Sequence, residues 1–443
     1  MDWSRIPDLA AIALLTSAFA SVASRGHRPV SKLWLSGWLL IAVHFAAQLF
    51  DRQTGLTGDI ASSISLISLA DAAVLFMYSV VPYRRLPASR WMLGSLLATN
   101  TLYGAIISLE NPPAFALVFS AALFCIVPLV VAYATAKRPH HPLRRMIVLL
   151  NASIGTYLLL IQNGPRGLDL AVIGWLFMLY FGCAFHVWWT YHRDTAGAYI
   201  TVFGFVSWAA VFVTAPCLGA FFPGIHVEGE VWNLPKYVVA VGMILLLLED
   251  ELEHNRYLAL HDELTGLPNR RLFLDRLSLA LERARRNSTR VALLLVDLDR
   301  FKQVNDTLGH HVGDLLLRKV AELFSGRIRS CDTVARTGGD EFSLILEDTS
   351  TTCSAHVVAR ELLAQLCDPM QIDGRTILVG ASIGVAIFPD DATDVEELRV
   401  AADLRMYDEK NCNRVGTPAL APRIPPRAQP ATEHGAVAGS HSA

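Results

Sequence analysis

The sequence predicts a chain in two parts, an all-α membrane bundle of about nine helices followed by an α/β domain. Of the 443 residues, 53% are hydrophobic and only 18% are charged, whereas soluble proteins average about 25% charged residues. The long apolar runs lie almost entirely in residues 1–248, and the charged residues concentrate between Glu249 and Arg414. We therefore expect the two parts to lie in different solvents.

Charge and cysteine spacing exclude little else. The net charge of −2 argues neither for nor against nucleic-acid binding. The seven cysteines form no Cys-x-x-Cys pattern and no close pairs. This spacing indicates neither a zinc site nor a disulfide framework, and for the cysteines after residue 249 it fits a reducing cytosol.

The first part contains nine apolar segments, most of them about 18–24 residues long, which is the length a helix needs to cross a bilayer. The first segment has no basic region before it, so we expect a retained anchor rather than a cleaved signal peptide. The segments are Ile6–Ser24, Leu33–Phe50, Ile60–Val81, Trp91–Leu109, Ala114–Ala136, Met146–Ile161, Leu168–Tyr191, Tyr199–Phe222 and Val231–Leu248.

Basic residues in the short loops predict the orientation of this bundle. The odd-numbered loops carry 11 Lys and Arg residues, and the even-numbered loops carry only Arg52 and Arg166. Loops rich in Lys and Arg stay on the cytoplasmic side. We therefore expect the N-terminus outside a bacterial inner membrane and the second part of the chain in the cytoplasm.

A few polar residues interrupt the apolar segments. Asp71 and His186 are the best candidates for a ligand, proton or metal site, because polar groups in lipid are costly and often functional. The alternative is that they pair with each other, with backbone or with a neighbouring helix. Beyond the ninth segment, residues 249–260 continue the helix as a connection, which either pairs with a second copy or is a plain spacer.

The second part, residues 261–415, reads as one domain with the element order αβαββαβα, which predicts a central sheet covered by helices. Residues 416–443, rich in Pro, Ala, Gly and Ser, are expected to form a disordered tail. The predicted elements are Asn269–Arg286, Val291–Leu298, Gly313–Ile328, a β-hairpin over Val334–Leu346, Ser354–Cys367, Ala381–Phe388 and Asp394–Lys410.

Two acidic positions indicate nucleotide chemistry. Gly338 and Gly339 allow a tight turn at the hairpin tip and are followed by Asp340 and Glu341. Asp297 ends the buried strand, and pairing that strand with the hairpin brings Asp297 beside Asp340. Two such carboxylates can share magnesium ions with nucleotide phosphates.

Other polar residues suit the same ligand. Lys302, Lys410 and Arg414 could supply positive charge to phosphates, and Asn305 and Asp314 could read a base edge. The alternative for each residue taken singly is a solvated surface position.

Together these motifs resemble the GGDEF domain, the catalytic domain of diguanylate cyclases. The resemblance implies a palm-like, antiparallel-rich sheet with surrounding helices, related to adenylyl cyclases. It also implies that two protomers face each other with one GTP each and form cyclic di-GMP and two pyrophosphates. The matching segments are Asp262–Arg270, Asp297–Asp306, Gly309–Asp314, Gly338–Phe342 and Ala381–Ala386.

The resemblance also implies roles for single residues. It makes Asp340, Glu341 and Lys302 catalytic, with the role of Glu341 the least defined. Asp297, the Leu298 carbonyl and Asp340 hold two Mg²⁺ ions, or Mn²⁺ in their place. The GTP-binding residues are Phe301, Lys302, Asn305, Asp314, Gly338, Gly339, Lys410 and Arg414.

One further match concerns regulation. Arg329 and Asp332 form an Arg-x-x-Asp segment five residues before Gly338, which in this family is the inhibitory product site. The alternative is an Arg–Asp surface pair. The expected partners are GTP, cyclic di-GMP, a second copy of the chain and the lipid bilayer, with no nucleic acid. The alternative functions are a catalytically silent receptor for GTP or cyclic di-GMP and a transporter with a regulatory domain.

Overall fold

A computed structural model of the chain describes residues 5–25, 29–50, 55–79, 87–134, 142–191, 195–222, 224, 227, 229–348 and 352–416. The chain divides into two compact units, Met1–Glu253 and His254–Ala443. The predicted tail, residues 416–443, lies outside the described residues except for Gly416. Most of the basic loop residues used to predict the orientation also lie outside them.

The regular elements among the described residues of the first unit are all helices. Each of its helices coincides with one predicted apolar segment, and the ninth continues past the predicted end of the membrane segment as expected. The helices are α1 (Ile6–Arg25), α2 (Pro29–Gln48), α3 (Leu56–Ser79), α4 (Pro87–Ile107), α5 (Ala114–Ala134), α6 (Pro142–Ile161), α7 (Gly167–Thr190), α8 (Ala196–Phe221) and α9 (Gly229–Leu260).

Fewer helices than predicted have the full character of a membrane span. Among the described residues, five helices are long and apolar enough to cross a bilayer, namely α3, α5, α7, α8 and α9. Length and composition therefore support five of the nine predicted spans among the described residues. The bundle core is rich in aromatic side chains, and the Tyr180 and Trp208 rings have centroids 4.2 Å apart.

Asp71 and His186 do not pair with each other. The Thr101 hydroxyl donates to Asp71 Oδ2 over 2.8 Å, and His186 Nδ1 lies 2.8 Å from the Gly182 carbonyl oxygen of its own helix. Asp71 is therefore paired with a neighbouring helix and His186 with backbone, each through one atom. Asp71 Oδ1 and His186 Nε2 are buried without a hydrogen-bond partner among the described residues, so a ligand, proton or metal site at these residues stays a prediction.

The second unit contains a four-stranded antiparallel sheet with strand order β2-β3-β1-β6 and a separate hairpin of β4 and β5. The central strand β1 pairs with β3 and β6 along most of its length. In chain order the elements are α10 (Arg270–Asn287), β1 (Val291–Asp299), α11 (Phe301–Leu308), α12 (His310–Arg327), β2 (Thr333–Arg336), β3 (Glu341–Leu346), α13 (Thr352–Cys367), β4 (Met370–Ile372), β5 (Arg375–Ile377), β6 (Gly380–Phe388) and α14 (Val395–Gly416).

The sheet is covered on both faces, which explains the continuous apolar sequence of β1. Leu294 and Val296 pack in a core with residues of α12 and α13. Leu293 and Leu295 point to the other face and pack with residues of α10 and α14. Successive side chains of a strand alternate between faces, so the acids that end β1 can be assigned to a face.

One helix and one short hairpin were not predicted from the sequence. The segment Phe301–Leu308, for which no element was predicted, is the helix α11. The residue before it, Arg300, has a left-handed backbone conformation, and its side chain makes no capping hydrogen bond. The signal for a helix start was therefore missing. The hairpin of β4 and β5 has only three residues in each strand, too few for a recognisable alternation.

Candidate active site

Asp297 lies near the end of the central strand and is only 7% exposed. It is directly opposite Glu341 on β3 and Ser382 on β6. Directly opposite residues of antiparallel strands have their side chains on the same face. Asp297, Glu341 and Ser382 therefore share the face that packs with α10 and α14.

Asp340 adjoins the same strand through the backbone. The Leu298 N–H donates to the Asp340 carbonyl oxygen over 3.2 Å, and the Thr337 N–H donates to the Glu341 carbonyl oxygen over 3.0 Å. The hairpin turn is thus closed on itself and joined to β1. This is the strand pairing that the sequence predicted, and it brings Asp297, Leu298 and Asp340 together.

The two glycines of the turn serve different purposes. Neither has a positive φ, so the turn does not depend on the conformational freedom of glycine. A Cβ on Gly338 would lie 2.6 Å from Glu341 Oε2, whereas a Cβ on Gly339 would meet nothing within 4 Å. A side chain at position 338 would therefore displace the Glu341 carboxylate, whereas Gly339 leaves the tip open to a ligand.

Arg336, which the sequence reasoning missed, links this turn to Asp262. Its Nη1 donates to both carboxylate oxygens of Asp262 over 2.9 and 3.1 Å. Its Nε and Nη2 donate to the Gly339 carbonyl oxygen over 3.2 and 2.7 Å. Arg336 lies in the predicted hairpin Val334–Leu346, and Asp262 lies in the matching segment Asp262–Arg270. The sequence therefore contained an Arg beside the turn and an acid in the first motif, and their opposite charges were the available signal.

The same contacts set the charge of Asp262. Burial by itself raises the pKa of the carboxyl, but the hydrogen bonds from Thr265 and Arg336 outweigh it and hold the pKa below its ordinary value. Asp262 is therefore a carboxylate at neutral pH and a permanent acceptor for the guanidinium.

Lys410 contacts a carboxylate. Its Nζ donates to Asp297 Oδ1 over 2.7 Å, and its side chain is 29% exposed. The resemblance implied a phosphate contact for this residue. Arg414 is also in α14, which runs past the predicted end at Lys410 to Gly416, so the two residues lie on one helical face as expected. The side chain of Arg414 is outside the described part of the structure.

The predicted base-reading residues lie close together. Asn305 is in α11, and its side chain lies against Gly313 of α12, so that a Cβ on Gly313 would overlap Asn305 Oδ1. Asp314 follows Gly313 in the chain. Asn305 and Asp314 therefore both lie where α11 meets α12, and an amide together with a carboxylate could bind the donor and acceptor edge of a purine.

Phe301 and Lys302 form the first turn of α11. The Phe301 side chain is 9% exposed and belongs to the sheet core, so it can contact a phosphate only through its main chain. Lys302 is exposed. The first N–H groups of a helix have no partner within it and suit an anion.

Asp299 is a second acid that sequence reasoning passed over. The Ser382 hydroxyl donates to its Oδ1 over 3.0 Å. Burial raises the pKa of Asp299 above its ordinary value, against the Ser382 hydrogen bond, and the Asp297 charge raises it further. Asp299 lies two residues beyond Asp297 on β1 and therefore on the same face of the sheet.

The donor set fits a magnesium ion. Asp297, Asp340 and the Leu298 carbonyl offer only oxygen atoms, and Mg²⁺ is commonly held by one or two carboxylates together with water and substrate phosphates. No group of three or more His, Cys, Asp or Glu side chains suited to a metal occurs among the described residues. Asp297, Asp340 and the Leu298 carbonyl could supply part of a coordination shell, with water and nucleotide phosphates supplying the rest.

The Arg-x-x-Asp segment lies between α12 and β2. Asp332 Oδ2 accepts from the Arg329 N–H over 3.0 Å, and Oδ1 accepts from the Glu347 N–H over 3.1 Å. The Asp332 carboxylate therefore holds the loop through main-chain groups. Arg329 and Asp332 are thus joined through the main-chain N–H of Arg329, and the assignment of both residues to a product site stays a prediction.

Known proteins resemble the second unit. Residues 259–415 match the family model described as diguanylate cyclase, GGDEF domain. The bifunctional diguanylate cyclase/cyclic di-GMP phosphodiesterase MucR of Pseudomonas aeruginosa is 42% identical over 194 residues, which is 40% of this chain and 28% of MucR. The chain spans less than half the length of MucR and of two other curated relatives that it matches.

Solved structures of GGDEF domains also match. The crystal structure of the GGDEF domain of TpbB from P. aeruginosa is 39% identical, with 33% of this chain and 92% of that chain covered and a TM-score of 0.33. The coiled coil and GGDEF domain of DgcB from Caulobacter crescentus, in complex with c-di-GMP, is 26% identical, with 41% and 95% covered and a TM-score of 0.38. Through residues 259–415, the chain belongs to the GGDEF family of diguanylate cyclase domains.

Proposed function

We propose that the protein is a membrane-bound diguanylate cyclase that condenses two GTP molecules into cyclic di-GMP and two pyrophosphates. The observation that carries this proposal is the pairing of β1 with the hairpin, which puts Asp297 opposite Glu341 and joins Leu298 to Asp340. Family membership supports the same chemistry, and all five residues of Gly338–Phe342 are present.

In the proposed reaction, the 3′-hydroxyl of each GTP attacks the α-phosphorus of the other. Two P–O bonds form, two bonds to pyrophosphate break, and each 3′-hydroxyl loses its proton. One site holds one GTP, so turnover needs two chains facing each other as a homodimer. The protein contributes chiefly by positioning the reactants, as is usual for phosphoryl transfer.

Each site residue has a proposed task. Asn305 and Asp314 bind the guanine edge, while the main-chain N–H groups at the start of α11 and the Lys302 ammonium bind the phosphates. Gly339 lets the nucleotide approach the turn. Glu341, on the same face as Asp297, is suited to accept the 3′-hydroxyl proton. Asp297, Asp340 and the Leu298 carbonyl would hold Mg²⁺, which supplies positive charge for the phosphate oxygens when bound.

The test uses the full chain in lipid nanodiscs with GTP and Mg²⁺, and chromatography to measure cyclic di-GMP. We expect product from the parent chain and none from Asp340→Ala. Asp390→Asn is the control, because it removes an acid from an exposed pair with Arg290. Failure of the parent to form product while it binds GTP or cyclic di-GMP would instead support a silent receptor, which is the alternative function.

We also propose that cyclic di-GMP inhibits the enzyme at Arg329 and Asp332. The Arg329 side chain is exposed and free to bind guanine edges and phosphate. The Asp332 carboxylate, held by two main-chain N–H groups, fixes the loop on which Arg329 stands.

The first unit is proposed to span a bacterial inner membrane nine times, with the N-terminus outside and the GGDEF domain in the cytoplasm. The five apolar helices and the distribution of loop Lys and Arg support this arrangement. Single cysteines introduced into odd and even loops of a chain without its own cysteines test it. A membrane-impermeant maleimide should label even loops from outside and leave odd loops unlabelled.

A further inference from the structure

The ion pair between Lys410 and Asp297 joins two residues for which the proposed function gives separate partners. Asp297 is assigned to a metal ion and Lys410 to nucleotide phosphate. The structure shows a third arrangement, in which the Lys410 ammonium donates to Asp297 Oδ1 over 2.7 Å. The two assigned partners carry opposite charges, so one event can satisfy both residues at once.

We propose that Lys410 holds the place of the metal ion at Asp297 and moves to the nucleotide phosphates when the metal and GTP bind. This inference rests on the proposed function and adds a step to it. In the nucleotide-free protein, Lys410 and the metal compete for one carboxylate oxygen. In the loaded protein, the metal takes the carboxylate and the phosphates take the ammonium.

The burial of Asp297 gives the first reason. Its side chain is 10% exposed, and a carboxylate buried to that extent is strongly destabilising when it has no counter-charge. The acids around it make the need greater, because Asp299 and Glu341 lie on the same face of the sheet. A cation at this position therefore stabilises the domain before any ligand arrives.

The anchoring of α14 gives the second reason. Glu409 Oε2 accepts from the Ile383 N–H over 2.9 Å, which fixes this turn of the helix against β6. The backbone of Lys410 is thereby held, while its four-carbon side chain can change direction without moving the helix. Exchange between two partners then needs only side-chain rotation.

The partial exposure of Lys410 gives the third reason. At 29% exposed, its side chain reaches solvent, whereas Asp297 scarcely does. The ammonium therefore occupies the open side of the carboxylate, which is the side from which a metal–nucleotide complex can approach.

The exchange predicts effects of opposite sign from a single substitution. Lys410→Met removes the competing cation, so the nucleotide-free protein should bind Mn²⁺ about fivefold more tightly, the factor expected for a partly exposed ion pair. The same variant loses a phosphate contact, so it should bind Mn²⁺–3′-deoxy-GTP at least about fivefold more weakly. The deoxynucleotide lacks the attacking hydroxyl and cannot turn over.

The experiment titrates Mn²⁺ into the full chain in nanodiscs and follows free Mn²⁺ by electron paramagnetic resonance, with Asp297→Asn defining binding outside the site. Lys319→Met is the matched control, since Lys319 is an exposed lysine of α12 paired with Glu322. It should leave both affinities unchanged. Lys410→Arg keeps the charge and should bind Mn²⁺ no more tightly than the parent, which provides a reading if Lys410→Met does not fold.

Three outcomes overturn the exchange. Equal Mn²⁺ affinity in parent and Lys410→Met makes Lys410 a phosphate ligand only, and weaker Mn²⁺ affinity makes it a structural support. Tighter Mn²⁺ binding by Lys410→Arg also contradicts competition. The proposed cyclase activity is measured separately on the parent. If the parent is inactive but Lys410→Met binds Mn²⁺ more tightly and Mn²⁺–3′-deoxy-GTP more weakly, the exchange holds and only the proposed cyclase activity is rejected.

Discussion

Arg336 joins Asp262, two residues beyond the end of α9, to the turn that carries Asp340. One guanidinium donates to both oxygens of Asp262 and to the Gly339 carbonyl, and the Arg336 side chain is only 13% exposed. The main chain adds to the link, because the Arg336 N–H donates to the Pro268 carbonyl oxygen over 2.9 Å. The first segment of the domain is therefore tied directly to the candidate metal-binding turn.

We expect Arg336→Lys to lower the rate of cyclic di-GMP formation by about 10- to 100-fold, because a lysine cannot serve both acceptors and a displaced turn misaligns the reactants. The measurement is the initial rate at saturating GTP and Mg²⁺. Arg283→Lys is the control, since Arg283 pairs with Glu347 at an exposed site. An unchanged rate in Arg336→Lys shows that the turn keeps its place without this link.

The two glycines of the signature should respond differently to alanine. Gly338→Ala puts a methyl group against the Glu341 carboxylate, so we expect turnover to fall at least about tenfold. Gly339→Ala meets no protein atom and needs no left-handed backbone, so the free protein should keep its stability. Its affinity for 3′-deoxy-GTP should nevertheless fall, because the methyl group occupies the open side of the turn.

Hydrogen exchange of residues 334–346 and nucleotide titration separate these effects. If Gly339→Ala binds the nucleotide as tightly as the parent does, the nucleotide does not approach the tip of the turn. If Gly338→Ala is fully active, the position of the Glu341 carboxylate is not important for the rate.

The sequence predicted where the site residues lie better than it predicted which partners they contact. The apolar run of β1 and the acids at its end predicted where Asp297 lies, because strand pairing brings a strand end to a hairpin tip regardless of detail. The Asp297–Lys410 pair and the Arg336–Asp262 pair depend on how α14 and the first loop fold back on the sheet. No local spacing records such long-range packing. Helix α11 was missed for a different, local reason, because no side chain caps its start.

Arg329 and Asp332 should also differ when substituted. Arg329→Ala removes an exposed side chain, so we expect the concentration of cyclic di-GMP that halves the rate to rise at least about tenfold while the uninhibited initial rate is unchanged. Asp332→Ala leaves the Arg329 and Glu347 N–H groups without their acceptor, which should also destabilise the domain by about 1–3 kcal/mol. The inhibition curve of Arg329→Ala decides, and a curve equal to that of the parent places product inhibition elsewhere.

The pair of Asp391 and Arg405 should make the domain sensitive to acid. Arg405 donates to both Asp391 oxygens over 2.7 Å, and the Ile387 N–H donates to Oδ2 over 2.7 Å. The Arg405 hydrogen bonds hold the pKa of Asp391 below its ordinary value of 3.8. A carboxyl with a lowered pKa contributes stability above its unfolded-state pKa and loses it as the pH falls through the folded-state value. The contribution is therefore complete at pH 7 and declines as the pH falls below 3.8 toward the lower folded-state pKa.

Asp391→Asn should destabilise the domain at neutral pH, and the difference from the parent should shrink as the pH falls below 3.8. All nine tryptophans precede residue 249, so tryptophan fluorescence does not report on this domain. Hydrogen exchange of residues 383–391 gives the local free energy of opening instead. Asp390→Asn is the control, because Asp390 and Arg290 are 39% and 43% exposed and such a pair contributes little. A difference between Asp391→Asn and the parent that stays constant with pH contradicts the assignment, because the lost interaction is then not that of a titrating carboxylate.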